Sequence, residues 1–174
     1  MTKRDPEREL SASRKLNVFP RKRGTLSLDV CGSVFITQWH LSPSVDDVRR
    51  VLDDAREARL AHGKPMLQLV VISSERFSMP PADVRAEMSA NMKEMDENFD
   101  GHVLILGTLG FVAAAIHALA STLALAGNRR PGRTRICRSV GEGVKACTEL
   151  AGPGKIDEAA LRRGLVHLEG MGAS

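Results

Sequence analysis

The chain has no tyrosine, and Phe and Trp together supply only 3% of its 174 residues. Base stacking on single-stranded nucleic acid needs aromatic platforms, so nucleic acid is not expected as a partner. Its three cysteines, Cys31, Cys137 and Cys147, are an odd number at no metal-ligand spacing. That pattern predicts reduced, buried thiols rather than a disulfide framework. Among His40, His62, His102, His117 and His167 no pair has the four-residue spacing that sets two ligands on one helical face, so no metal is expected. A Gly-x-Ser-x-Gly elbow is missing, and so are the Gly-Lys-Ser/Thr ending of a P-loop and the third glycine of a dinucleotide fingerprint. No cysteine has an adjacent base. Together these gaps predict a protein that is not an enzyme, with no catalytic residue and no cofactor. The basic start is followed by no apolar signal region, which predicts a cytoplasmic protein.

The charge is concentrated at one end. Residues 1–24 hold eight Lys or Arg against three acids, a surplus larger than the net +4 of the whole chain, so the remainder is close to neutral. With no sustained apolar period, residues 1–23 read as a basic disordered tail. Residues 24–151 read as one α/β domain, and 152–174 as a linker with an appended C-terminal helix.

The longest uncharged stretch, 103–126, is the centre of the chain. It is long enough to span a bilayer as one helix, with Arg129 and Arg130 as its anchor. The glycines at 107 and 110 argue for the other reading, a short buried strand (Val103 to Leu106), a turn, and a helix from Phe111 closed by Gly127. Regular elements on both sides need that strand as their centre, and no membrane span is expected.

Upstream, Leu26, Leu28 and Val30 alternate with polar residues, Cys31-Gly-Ser33 offers a turn, and a second strand runs from Val34 to about Trp39. This predicts a β-hairpin. Ser42-Pro43 signals a helix start, with Val45, Val48, Leu52, Ala55 and Leu60 as its apolar stripe and Gly63 as its end. Met66 to Ile72 predicts a buried strand. From Ala82, a helical stripe runs through Val84, Met88, Met92, Met95 and Phe99. Thr134 to Cys137 predicts a strand, and Ser139 with Glu142 a capping box that opens a helix. Asp157 caps the last helix, with Ile156 and Leu161 as a hydrophobic staple. The fold class is therefore α/β: a mixed, mostly parallel sheet opened by a hairpin, with helices packed on it and one extra C-terminal helix.

Three places are candidate sites. Met79, Met88, Met92 and Met95 form either core or a pliable surface for a protein partner. Gly107, Thr108 and Gly110, between a strand and a helix, are placed to hold a phosphate or other small ligand on backbone amides, and His117 lies in the helix that follows. Ser73 and Ser74 sit in the loop after the Met66 to Ile72 strand.

The element order, the hairpin Thr25 to Trp39, the helix start Ser42-Pro-Ser-Val-Asp-Asp47, the Gly63-Lys-Pro65 lead into an apolar strand and the Ser139-Val-Gly-Glu-Gly-Val144 helix resemble the STAS-like superfamily. That superfamily contains the bacterial anti-anti-sigma factors and Sec14-related domains, and the resemblance covers about residues 24–151. It implies a regulatory or scaffolding module acting by protein–protein contact, with another protein or a second copy of itself as partner. It also implies Ser73 and Ser74 as the positions of a phosphorylation switch, although the Asp before and the Gly after that mark the switch are absent here.

Overall fold

The structure, a computed structural model, describes residues 19–62, 66–72, 76–107 and 132–172. Among them are six strands: β1 (Arg21–Arg23), β2 (Leu26–Cys31), β3 (Val34–Trp39), β4 (Met66–Ile72), β5 (Phe99–Leu106) and β6 (Thr134–Cys137). They form one sheet in sequential order. The hairpin partners β1, β2 and β3 are antiparallel, and β3 through β6 are parallel. Parallel neighbours need a crossover. α1 (Val45–His62) supplies it between β3 and β4, and α2 (Ala82–Asn98) between β4 and β5. After β6 come α3 (Val140–Ala151) and α4 (Glu158–Gly172). The mixed, mostly parallel α/β sheet opened by a hairpin is thus the observed fold.

Both faces of the sheet are covered, which is why all six residues of β3 are buried. On one face Leu28, Phe35, Met66 and Ile72 pack with Val51, Ala55 and Ala58 of α1. Ring stacking of Phe35 on Phe99, with centroids 5.7 Å apart, joins two of the strands there. On the other face Ile36, Leu69 and Ile105 pack with Val144 and Cys147 of α3 and with Leu161, Leu165 and Leu168 of α4.

Several expectations are corrected. Residues 19–23 are not part of a tail: β1 pairs with β2, Phe19 packs on the first core face and Arg21 forms an ion pair with Asp54. The C-terminal helix is not an appendage either. Leu161 and Leu168 are fully buried in the core, and each such side chain contributes about 1.5–3 kcal/mol. In α1 the buried stripe uses Val51 and Ala58, while Leu60 is 84% exposed. Its cap is Ser44, not Ser42: the Asp47 amide donates to Ser44 Oγ at 3.2 Å and the Ser44 amide donates to Asp47 Oδ2 at 2.9 Å. Ser42 instead hydrogen-bonds Ser78, tying the start of α1 to the loop before α2. β5 begins at Phe99, directly after α2, so Phe99 is a strand residue rather than the end of the helical stripe. Val103 to Leu106 lie in that strand, paired with β4 throughout and with β6 as far as Ile105, which removes them from any single helix over 103–126. No helix among the described residues is long and apolar enough to cross a membrane.

The caps at the C-terminal end follow the sequence. Glu142 N donates to Ser139 Oγ at 3.2 Å, the Glu142 carboxylate accepts from the Arg138 amide, and Ala160 N donates to Asp157 Oδ1 at 2.9 Å. Ile156 and Leu161 both join the second core face, as a staple requires.

Candidate functional site

A strand sends alternate side chains to opposite faces, so the register of the sheet decides what meets under α1 and α2. Gln68 pairs with His102, and His102 with Thr134, which sets three polar side chains side by side across β4, β5 and β6. The next row on that face is Thr37, Val70, Leu104 and Ile136. Beyond it stand Trp39, Ile72 and Leu106. All three rows contribute to the lining of a cavity of about 190 Å³ between the sheet and the two helices, although Leu106 itself is not part of that lining.

The helices supply the opposite wall. Val48, Val51 and Leu52 of α1 and Met88, Met92 and Met95 of α2 line it, and Phe77 and Pro80 come from the loop before α2. The two helices are held in register at the surface. Arg49 makes a two-pronged contact with Glu87 at 3.0 Å on each arm, and Arg56 makes a two-pronged contact of its own with Glu94 one heptad further along. Hydrogen bonds from these arginines hold the Glu87 and Glu94 carboxyls below their usual range. Charged side chains of the two helices therefore meet each other and fix the spacing of the cavity's outer wall.

The polar row has internal order. His102 Nδ1 lies 2.9 Å from Gln68 Oε1 and Nε2 lies 2.9 Å from Asp96 Oδ1 of α2, with the Phe99 ring edge-on at 5.9 Å. Burial pulls the imidazole below its ordinary range and outweighs the opposing pull of the Asp96 carboxylate. With both ring nitrogens engaged, His102 is a positioned side chain, with no nitrogen open for proton transfer. Thr37 is fully buried, lines the cavity, and its Oγ1 has no hydrogen-bond partner among the described residues.

Met88, Met92 and Met95 are thus brought together, each half-buried, while Met79 is half-buried outside the lining. Gly107 ends β5 with its amide donating to the Ile72 carbonyl at 2.8 Å, so that donor is not open to a phosphate. Thr108, Gly110 and His117, and likewise Ser73 and Ser74, lie outside the described residues. The sequence reading missed Gln68, His102, Thr134 and Thr37. Gln68 was the available signal, as the one polar residue inside an apolar strand. Among the described residues no group of three or more His, Cys, Asp or Glu is placed to hold a metal ion.

Compared with known proteins, the chain matches no family model and no curated protein.

Proposed function

We propose that the protein is a non-enzymatic regulatory module that binds a small apolar molecule in the cavity under α1 and α2 and passes its occupancy to another protein. The observation that carries this is the cavity itself, about 190 Å³, whose described lining is mostly apolar, with the polar row, Thr37 and Asn91 as the exceptions. An apolar cavity of roughly 150 Å³ is enough to stay dry and take up benzene, so this one suits a ring or chain of about eight carbons. Methionines in the wall favour the reading, because their unbranched side chains repack around an occupant. The engaged ring nitrogens of His102 weigh against catalysis at the same place. Contact with a second protein draws on the STAS-like resemblance and on the exposed helices that form the outer wall.

A thermal-shift titration of the full chain with small apolar molecules tests it. A ligand at about 100 times its dissociation constant adds about 2.7 kcal/mol of stability. Val70→Phe, which fills the cavity from its floor, removes the shift while the protein stays folded. A shift that survives Val70→Phe, or none with any apolar compound, rejects the reading.

A further inference from the structure

Resting on the binding reading above, we propose that the polar row Gln68–His102–Thr134, with Thr37 beside it, selects ligands whose single polar group is an uncharged hydroxyl and rejects the corresponding carboxylate. The cavity offers both parts of that choice. Its body is largely apolar, with Trp39, Val51, Leu52, Ile72 and Met92 around it, and its polar groups lie together on the sheet except for Asn91 of α2, whose amide donates to Glu87.

No Lys or Arg is among the described residues that line the cavity. Behind the row stands the Asp96 carboxylate, against His102 Nε2. Burial holds the imidazole toward its neutral form at pH 7. A ligand carboxylate would have to shed water without gaining a positive partner from these residues, and would do so near the largely buried Asp96 carboxylate. A hydroxyl meets no such penalty. It can donate and accept, and the Thr37 Oγ1, left without a partner in the described structure, supplies the complementary group. Leaving that atom unpaired in an occupied cavity would cost more than pairing it, which is how a buried polar group discriminates between similar ligands. His102 acts here as a positioning residue. Its bonds to Asp96 and Gln68 fix which way the Gln68 side chain lies against the cavity.

Trp39 is the sole tryptophan of the chain and lines the cavity, so its emission reports on occupancy without a label. The test titrates the full-length protein with 1-octanol and with sodium octanoate at about pH 8, where the carboxylate is fully ionised. The expected result is a saturable emission change with octanol and at least about tenfold weaker binding of octanoate. Thr37→Val and Gln68→Leu shrink that preference while both proteins keep the wild-type far-ultraviolet spectrum. Octanoate binding as tightly as octanol overturns the proposal from the wild-type protein alone and leaves the apolar-binding reading standing. A preference unchanged in both folded variants also overturns it. No saturable change with either compound overturns the proposal together with the function it rests on, and assigns the cavity to the chain itself.

Discussion

Arg21 of β1 and Asp54 of α1 form an ion pair between positions 33 residues apart, with the Arg21 side chain 18% exposed and the Asp54 side chain 4%. The guanidinium also reaches Glu57 at 3.0 Å and lies over the Phe19 ring, 4.6 Å from its centroid. One arginine thus fastens the first strand to the first helix. Removing it leaves the Asp54 charge buried without this partner. Arg21→Ala is therefore expected to cost about 3 kcal/mol, within the range for breaking a buried pair from one side. Urea unfolding measures it, and Arg21→Ala in an Asp54→Asn background should cost clearly less. Equal losses in both backgrounds would show that the pair is not what holds β1.

Gly143 sits where α3 lies on the sheet, and a Cβ there would overlap Ile105 Cδ1 and Cγ1 well inside van der Waals contact. The side chains that would have to move are fully buried in a close-packed layer. Gly143→Ala should destabilise by about 1–3 kcal/mol despite alanine's better helix propensity. Ile105→Val, which frees space at that spot, should recover part of the loss in the double variant. Additive losses would mean the two residues do not share the space.

That close approach was only half visible in the sequence. Ser139-Val-Gly-Glu-Gly-Val144 was legible as a capped helix because caps and apolar period are local signals. Which of its two glycines touches the sheet depends on tertiary packing. The same division runs through the molecule. Met66 to Ile72 was read to the residue and the α2 start was placed close to Ala82, since short apolar runs and stripes carry their own boundaries. The tail boundary failed because Arg21 to Arg23 are charged residues on an edge strand, held by a partner in α1 that no local pattern announces. For the site, the methionine wall was legible as a stripe. The row opposite it was not, because Gln68, His102 and Thr134 become neighbours only through the register of three strands.

Burial pushes the Cys147 thiol up to about 12, and it raises the thiols of Cys137 and Cys31 above their ordinary range. Thiolate is the reactive form, so none of the three reacts readily, and Cys31 is the only one that is partly exposed. Labelling with an aromatic disulfide should modify Cys31 slowly in the native protein. Cys137 and Cys147 should follow only at the rate of unfolding. Rapid native labelling of Cys147 would contradict its packing between α3 and the sheet.

Acid should weaken the fold before its carboxylates titrate. Burial lowers both His102 and His40, the latter with help from Lys22. Each binds a proton more readily in the unfolded chain, so their contribution is fully present above the usual imidazole range of about 6.5 and is lost as pH falls below it. The carboxyls held low by arginine, Glu87 and Glu94, lose their contribution only at more acidic pH. Urea midpoints measured between about pH 7.5 and pH 5.5 should therefore fall, with a slope of at most about 1.4 kcal/mol per pH unit for each histidine. His102→Gln should flatten the curve. A flat wild-type curve over that interval would mean that neither His102 nor His40 is harder to protonate in the folded state.

The methionine wall separates packing from binding. Met95 is packed against the buried cluster of Leu28, Phe35 and Ile72, whereas Met92 lines the cavity without joining it. Truncating Met95 removes core contacts and should cost about 2 kcal/mol, near the lower end for a buried methionine. Met92→Ala should cost less than about 1 kcal/mol, since a half-buried side chain at a cavity edge forfeits fewer contacts. Binding should show a different order. Both variants enlarge the cavity and loosen the wall, so both should weaken the Trp39-reported affinity for 1-octanol, Met92→Ala with near wild-type stability. Paired urea and fluorescence titrations read the two quantities on the same samples. A Met92→Ala loss as large as that of Met95→Ala would place Met92 in the core, and unchanged affinity in both variants would remove α2 from the binding site.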